Sequence, residues 1–282
     1  MLAVLSPAKK LDLTPVSLDQ LPTEAPWTTP ALWRESERMM TKLKNLSRTK
    51  LRALMGISAE LAELNWQRHQ QFEKPFTPLN SKQAALCFNG DVYWGLDGKT
   101  VQAEEWAWAQ DHLAILSGLF GILRPLDAIQ PYRLEMGTVI PTRRGANLYD
   151  YWGDSVTKQV NVTTQRHADR TLVNLASGEY SRVIRPKKLA GGMITIAFKE
   201  LRPDGPKMIG VVAKRSRGRF ARWMIEQHIE TRDGLKGFDL DDYAFDASLS
   251  DADVWTFSRD EVPGRMQAEF QARKRRDEAM AG

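Results

Sequence analysis

Residues 2–7 read Leu-Ala-Val-Leu-Ser-Pro, a short apolar run that is closed by a turn-forming pair. Four successive apolar residues predict a buried strand, because a strand that is covered on both faces shows no polar alternation. Similar strand signals recur along the chain and alternate with helical patterns. This alternation predicts a mixed α/β fold: one domain over residues 1–282, with a curved mixed sheet that is surrounded by helices.

Apolar periodicity and capping residues predict where the other elements lie. Strands are predicted at residues 84–88, 172–175, 193–198 and 208–213, and two more between 243 and 258. Helices are predicted at residues 103–119, 148–165 and 177–185, from Ser216 onward, and at 264–279. The last of these helices belongs to a basic C-terminal tail, residues 264–282, which contains the run Arg-Lys-Arg-Arg at 273–276.

Residues 30–72 predict three short helices with tight connections. The Thr-Pro pair at 29–30 is typical of a helix start, Ser47 and Ser58 can cap the next two helices, and Gly56 can end the second. Two of these helices, with the capped hairpin Asn-Leu-Ser at 45–47 in place of the usual glycine-rich one, resemble a helix-hairpin-helix element. Such an element holds DNA phosphates with the N–H groups of a helix start. A plain helical cover for the core is the alternative interpretation.

Composition excludes several classes of protein. With 282 residues, of which 42% are hydrophobic, the chain can bury a core without the help of disulfides or metals. The single cysteine, Cys87, excludes a disulfide framework and the common structural zinc sites. No signal-peptide pattern precedes the first strand, and no apolar run reaches the length of a membrane span. We therefore expect a cytoplasmic protein that does not contact a membrane.

Charge is distributed unevenly along the chain, although the net charge is only +5. Residues 182–222 contain twelve Lys and Arg but two acids, whereas residues 238–261 contain eight acids and one base. Such asymmetry favours an anionic partner, with nucleic acid as the first class to consider. The alternative is a solvated surface on which the acids fold back onto the bases.

A long irregular segment at residues 117–137 combines three glycines, two prolines and several charged residues. Long irregular segments inside a domain are commonly functional. Arg124 and Arg133 could hold phosphates or carboxylates there. Asp127 and Glu135 could instead neutralise these arginines in an ion-pair network that braces the segment.

With these motifs the chain resembles the family of peroxide stress protein YaaA, also known as UPF0246 or DUF328, over essentially its whole length. The matching stretches are Ser-Pro-Ala-Lys at 6–9, Phe-Asn-Gly-Asp-Val-Tyr-Trp-Gly-Leu at 88–96, the segment 117–137, Leu-Tyr at 148–149 with Trp-Gly-Asp at 152–154, Asn-Leu-Ala-Ser at 174–177 with Glu-Tyr at 179–180, and Ala-Lys at 213–214 with Arg-Gly at 217–218 and Arg222. Lys10 departs from the family, which often has Thr at this place, and makes the first motif more basic.

The resemblance implies a cytosolic bacterial protein that protects cells from hydrogen peroxide by limiting unincorporated iron, and hence Fenton damage to DNA. It also implies DNA binding through a helix-hairpin-helix element and a positively charged cleft. We expect double-stranded or structured DNA as the partner, no cofactor, no bound metal and a monomer. The four histidines, His69, His112, His167 and His228, lie outside the matching motifs.

The candidate site residues are the bases and polar side chains in or beside the motifs and the basic segment. The candidates for DNA contacts are Lys9, Lys10, Arg124, Arg133, Lys187, Lys188, Lys214, Arg215, Arg217, Arg219 and Arg222. The candidates for polar groups in the cleft are Asp91, Tyr132, Glu135, Ser177 and Glu179. Because polar residues beside strand ends form ligand sites in α/β sheets, we expect the matched motifs to converge. One concave surface should then be lined by Lys9, Arg124, Arg133, Lys187, Lys214 and Arg217.

An enzyme is the alternative to a DNA-binding protein. If the polar candidates share one cleft, they could serve as general acid, general base and anion clamp for a small phosphorylated or carboxylated substrate. A cleft of nucleotide width that is open at both ends favours DNA, whereas a closed pocket with paired carboxylates favours catalysis. A structural or protein-interaction role is a third hypothesis.

Overall fold

The predicted first strand lies at the centre of the sheet. The computed structural model describes residues 1–16, 21–23 and 26–262, together with 264, 268, 271, 272 and 275. Within this part of the chain, β1 (Leu2–Leu5) is buried at all four positions. It pairs in parallel with β5 (Leu113–Ser117) on one side and with β8 (Leu172–Asn174) on the other. Burial on both faces explains why β1 is apolar throughout.

The remaining elements are short. The other strands are β2 (Lys10–Leu11), β3 (Lys82–Gln83), β4 (Phe88–Asn89), β6 (Gly121–Leu123), β7 (Ala128–Ile129), β9 (Met193–Leu201), β10 (Ala244–Asp246) and β11 (Val254–Asp260). The helices are α1 (Trp33–Lys44), α2 (Arg48–Met55), α3 (Ala59–Gln71), α4 (Ala84–Cys87), α5 (Asp91–Leu96), α6 (Ala103–His112), α7 (Leu148–Trp152), α8 (Ser155–Thr163), α9 (Gly178–Ser181), α10 (Gly210–Glu226) and α11 (Arg232–Leu235). Short 3₁₀ helices occupy Gly98–Thr100, Thr164–Arg166, Pro186–Lys188, Leu240–Asp242 and Ala247–Leu249.

Seven of the strands form one mixed sheet, in the order β10-β11-β9-β8-β1-β5-β6. The five inner strands are parallel, and the edge strands β6 and β10 are antiparallel to their neighbours. Two further antiparallel pairs, β2 with β4 and β3 with β7, lie outside this sheet. The prediction of a mixed α/β fold is confirmed. None of the helices in the described ranges is long and apolar enough to cross a membrane.

The strand order creates a topological switch point. From β1 the chain continues to β5 on one side, whereas from β8 it continues to β9 on the other side. The connections that leave β1 and β8 therefore diverge and open a crevice beyond the carboxyl ends of these two strands. In open α/β sheets this crevice is where ligands bind.

The three helices predicted within residues 30–72 are present, and both serine caps are confirmed. Ser47 accepts a hydrogen bond from the Lys50 N–H (3.3 Å), and Ser58 accepts one from the Leu61 N–H (3.2 Å). Gly56 ends α2 in the left-handed region, with φ of 60°. The predicted start at residues 29–30 is wrong, since α1 begins at Trp33. Just before it, backbone hydrogen bonds from residue 28 to residues 126 and 128 form an isolated β-bridge between Thr28 and Asp127.

The predicted strand at 84–88 and the predicted helix at 103–119 are both wrong in part. Residues 84–88 are not a strand, because Ala84–Cys87 form the single helical turn α4 between two short strands. The helix predicted at 103–119 ends at His112, and residues 113–117 form the buried strand β5. Every residue of 84–88 and of 113–117 is buried, so periodicity could not separate a strand from a buried helix.

The basic segment also differs from its prediction. Residues 208–213 are not a strand, since α10 begins at Gly210 and Ser216 is a buried residue inside it rather than its cap. The helix predicted at 177–185 is limited to α9. Strands at 172–175, 193–198 and within 243–258 are confirmed, and so is the helical region 148–165, as α7 and α8. The helix predicted at 264–279 lies largely outside the described residues.

Glycine allows α5 and α10 to cross at backbone contact. A Cβ on Gly218 would lie 1.8 Å from the carbonyl oxygen of Val92, and a Cβ on Gly95 would lie 2.1 Å from that of Arg215. Both distances are far below van der Waals contact, so neither helix could accept a side chain here without moving. This crossing fixes the start of α10 against the segment that follows β4.

We predict that Gly218→Ala lowers the free energy of unfolding by at least about 1–3 kcal/mol, because the new methyl group overlaps the α5 backbone. Gly210→Ala is the matched control, since a Cβ there meets no atom within 4 Å. It should leave stability unchanged or raise it by about 0.5 kcal/mol. Urea unfolding of both variants measures this difference, and equal midpoints would show that the helices do not cross in this way.

Candidate functional site at the carboxyl edge of the sheet

Two serines meet in the crevice at the switch point. Ser6 follows β1 directly, and Ser177 lies three residues beyond β8. The backbone N–H of Ser177 donates to Ser6 Oγ over 2.9 Å, and the two hydroxyl oxygens are 3.3 Å apart. These bonds tie together the two loops that leave the sheet in opposite directions. Ser177 was a sequence candidate, whereas Ser6 was quoted in its motif but not selected.

Buried tyrosines support this crevice from the protein interior. Tyr93 donates from its hydroxyl to the carbonyl of Ser6 (3.0 Å), and the Tyr132 hydroxyl lies 2.6 Å from that of Ser117, at the end of β5. Burial raises the pKa of both phenols, so each remains a protonated hydrogen-bonding group. The candidate Tyr132 therefore supports the end of β5 through its hydrogen bond with Ser117.

A chain of alternating charges lies above the crevice. Glu135 joins two bases: its Oε2 is 3.1 Å from Lys9 Nζ, and its Oε1 accepts from Arg133 Nη2 over 2.8 Å. Glu179 approaches the same loop, because its Oε1 accepts the backbone N–H of Gly137 over 2.9 Å. Four sequence candidates from segments that lie far apart in the chain are thus brought together.

A cavity of about 360 Å³ separates these charges from the helical hairpin. Three charged residues line it: Arg133, Glu135 and Glu179. Leu54 and Met55, at the carboxyl end of α2, also line it. The hairpin formed by α2, residues 56–58 and α3 is therefore next to the carboxyl edge of the sheet.

Comparison with known proteins shows the family of this chain. A family model described as peroxide stress protein YaaA matches residues 1–249. The chain belongs to this family. It is 46% identical to a UPF0246 protein of Magnetococcus marinus and 45% identical to one of Caulobacter vibrioides, each over 92% of this chain and 99% of the relative. A UPF0246 protein of Burkholderia multivorans is 44% identical over 92% of this chain and 98% of its own length. Membership supports a role in peroxide stress.

Several of the candidate bases in this YaaA-family chain are held by acids away from the crevice. Arg124 pairs with the buried Asp127 (3.0 Å). Lys188 pairs with Asp154, and Arg219 with Asp241 (3.3 Å). Arg222 pairs with Glu226 and also donates to Thr100 and to the carbonyl of Asp97. The alternative interpretation, in which acids fold back onto bases, holds for these four.

The other candidates differ in how far they reach solvent. Lys187 and Lys214 are exposed, Arg215 is partly exposed, and within the described ranges none of the three forms an ion pair. Burial lowers the pKa of Arg217, and its Nε is enclosed by protein. Lys10 lies in β2 opposite Asn89, and Asp91 opens α5.

Three histidines form an aromatic stack at the opposite edge of the sheet. The ring centroids of Trp108 and His112 are 3.9 Å apart, those of His112 and His167 are 4.6 Å apart, and Trp108 also stacks on His228. His112 and His167 precede β5 and β8, so they lie at the amino ends of these strands. His69 is fully buried on α3.

Sequence reasoning missed several residues that shape the site. Besides Ser6, these are Tyr93 and Ser117 beneath the crevice, Gly137 opposite Glu179, and Met55 on the hairpin. Ser6 directly follows the strand predicted at residues 2–5, and this position was the signal that could have identified it. Ser117 gave no such signal, because the sequence predicted a helix there. The role of Met55 depends on how α2 packs, which no local pattern shows.

We predict that acid destabilises the protein partly through His69. Burial lowers its pKa to about 4, below the ordinary value of 6.5, so the unfolded chain binds the proton first. The free energy of unfolding should therefore fall as the pH decreases from 6.5 to 4, by about 3 kcal/mol for this group. Unfolding measured across that range should show a shallower slope for His69→Gln. An unchanged slope would show that His69 is not protonated on unfolding.

Proposed function

We propose that this protein protects DNA during peroxide stress by binding it largely without sequence preference. The contact surface that we propose joins the α2–α3 hairpin to Lys187, Lys214 and Arg215, which are exposed or partly exposed and form no ion pair with a described residue. Phosphate contacts of this kind fix a protein on DNA but carry no sequence information. The observation that carries the proposal is the hairpin itself, which combines an exposed helix start with exposed bases.

The hairpin has the geometry that a phosphate contact requires. Gly56 turns the chain in the left-handed region, and Ser58 caps α3 from an extended conformation. The first N–H groups of a helix have no partner within the helix, and the helix dipole favours an anion beside them. Gly56, Ser58 and Ala59 are exposed, so a DNA backbone can approach this end of α3.

Bases beside the hairpin supply the charge. Lys50 and Arg52 on α2 are exposed, and neither forms an ion pair with another described residue. Lys187, Lys214 and Arg215 could extend the surface. By contrast, Arg124, Lys188, Arg219 and Arg222 already have acidic partners, so we assign them structural roles. Within residues 182–222 we therefore propose DNA contacts only for the bases that form no ion pair.

Glu60 competes with a phosphate for the same position. Hydrogen bonds from its own backbone N–H and from the Ser58 hydroxyl lower the pKa of this carboxyl, which places a carboxylate at the start of α3. An incoming phosphate must displace it or bind beside it. Removal of the Glu60 carboxylate should therefore strengthen DNA binding, whereas removal of a base should weaken it.

The histidines support an indirect effect on iron. Ferrous sites typically combine histidines with carboxylates around an open position. Here His112, His167 and His228 stack face to face with each other or with Trp108, and His69 is enclosed by the core. The Glu230 carboxylate lies 3.4 Å from His112 Nε2 and pairs with that ring. We therefore propose that the protein limits Fenton damage by covering DNA, where iron would otherwise react, and not by holding the iron itself.

We predict that binding to a short duplex weakens with salt. If about five bases contact phosphate, the slope of log affinity against log salt should be about −4.5. Lys50→Ala with Arg52→Ala should flatten this slope by about 2 for every duplex sequence. Glu60→Gln should instead strengthen binding, because it removes a carboxylate from the phosphate position. Fluorescence anisotropy over a salt series measures both effects.

The matched control is Lys207→Ala with Lys236→Ala, which removes the same charge from two bases paired with Asp204 and Asp233. It should change the salt slope by less than the hairpin variant does. A slope near zero for the wild type would exclude phosphate contacts. Equal effects of the two double variants would show that net charge, and not the hairpin, governs binding.

A further inference from the structure

The cavity between the hairpin and the crevice has a chemistry that DNA binding does not use. We infer that it binds a small zwitterion of the amino-acid class, with an ammonium group at Glu179, a carboxylate at Arg133 and an apolar side chain against α2. This inference goes beyond the proposed function and does not depend on it. It rests on four groups that line or adjoin the cavity: two carboxylates and two bases.

Glu179 provides the place for the ammonium group. Its Oε1 accepts the N–H of Gly137 over 2.9 Å, and a Cβ at Gly137 would lie 3.3 Å from that oxygen. The absence of a side chain at Gly137 thus lets the carboxylate come close to the loop. Within the described ranges Glu179 forms no ion pair. A carboxylate has about four acceptor positions, so one N–H leaves most of them for a ligand.

Arg133 provides the place for the carboxylate. Its guanidinium has five N–H donors, and Nη2 to Glu135 is the one hydrogen bond it makes to a described group. The Glu135 carboxylate holds the planar group in a fixed orientation. Lys9 adds a second positive charge through its contact with Glu135. Arginine with spare donors is the side chain best suited to take a carboxylate in two parallel hydrogen bonds.

The mixture of charges excludes simpler ligands. A phosphodiester or free phosphate that entered the cavity would meet the carboxylates of Glu135 and Glu179. A simple amine would meet Arg133 and, beyond it, Lys9. A molecule that carries both charges can pair each of them with its opposite, so the cavity selects for a zwitterion by repelling the alternatives.

The size and the apolar side of the cavity favour one small molecule. A volume of about 360 Å³ is at the lower end of the range for ligand pockets, which suits a single amino acid better than a nucleotide or a peptide. Leu54 and Met55 offer apolar contact opposite the charges, and Val139 lies at the rim with 67% of its surface exposed. An aliphatic side chain would cover these groups.

Calorimetry on the full chain without DNA tests the inference, with L-leucine as the probe. The matched probes are 4-methylpentanoate, which lacks the amino group, 3-methylbutylamine, which lacks the carboxylate, and inorganic phosphate. We expect leucine to bind about tenfold or more tightly than either single-charge analogue, and phosphate not to compete. Absence of leucine binding in the range of about 1 mM, or competition by phosphate, would overturn the inference.

Variants assign the binding to the cavity. Glu179→Gln keeps an oxygen that can accept the Gly137 N–H but removes the charge, so leucine should bind only as well as 4-methylpentanoate. Glu104→Gln, at an exposed position on α6, is the matched control and should bind leucine as the wild type does. Met55→Trp, which fills the cavity and leaves its charges in place, should abolish binding of all probes. Wild-type affinity in Glu179→Gln would show that leucine binds elsewhere.

Discussion

The hydrogen bond from the Ser177 N–H to Ser6 Oγ, 2.9 Å long, links the two halves of the sheet at the position where its topology diverges. The loop after β1 carries Lys9, and the loop after β8 carries Glu179. The connections of these two segments run to opposite sides of the sheet, and this bond joins them where they leave it. The charges of the candidate site therefore depend on two small side chains beneath them.

The surface above this bond combines two kinds of chemistry. The cavity holds carboxylates and bases in nearly equal number, which favours a zwitterion and disfavours a polyanion. The hairpin next to it exposes bases and a helix start, which favours phosphate. Because Met55 belongs to both, a ligand in the cavity contacts the element that we propose for DNA. Binding of one could thus change the affinity for the other, in either direction and reciprocally.

Local chemistry predicted a large part of this structure. The buried strand at residues 2–5 and the caps at Ser47 and Ser58 follow from a few neighbouring residues, and all three are confirmed. The approach of Lys9 to Arg133, which both contact Glu135, was also expected, since ligand sites follow strand ends in α/β sheets. Such inferences need only adjacent residues or a rule of topology.

The errors share a physical cause. Residues 84–88 and 113–117 are apolar because they are buried on all sides, which removes the alternation that separates helix from strand. In the basic segment, Arg219 and Arg222 look like free charges in the sequence. The fold brings Asp241 beside Arg219, while the carbonyl of Asp97 accepts a bond from Arg222. Partners from distant segments are set by tertiary packing, which the local sequence does not encode.

The most direct test of this account is the peroxide survival of cells that carry Ser6→Ala as their only copy of the protein. The loss of the two hydrogen bonds of the Ser6 hydroxyl should cost about 1–3 kcal/mol of stability, so the variant should fold and accumulate. We predict that it nevertheless fails to protect, since the loops that carry Lys9 and Glu179 are no longer tied. Ser248→Ala also removes a serine hydroxyl, one that donates locally to Asp246 beside the edge strand β10, and should protect fully. Full protection by Ser6→Ala at wild-type abundance would contradict the account.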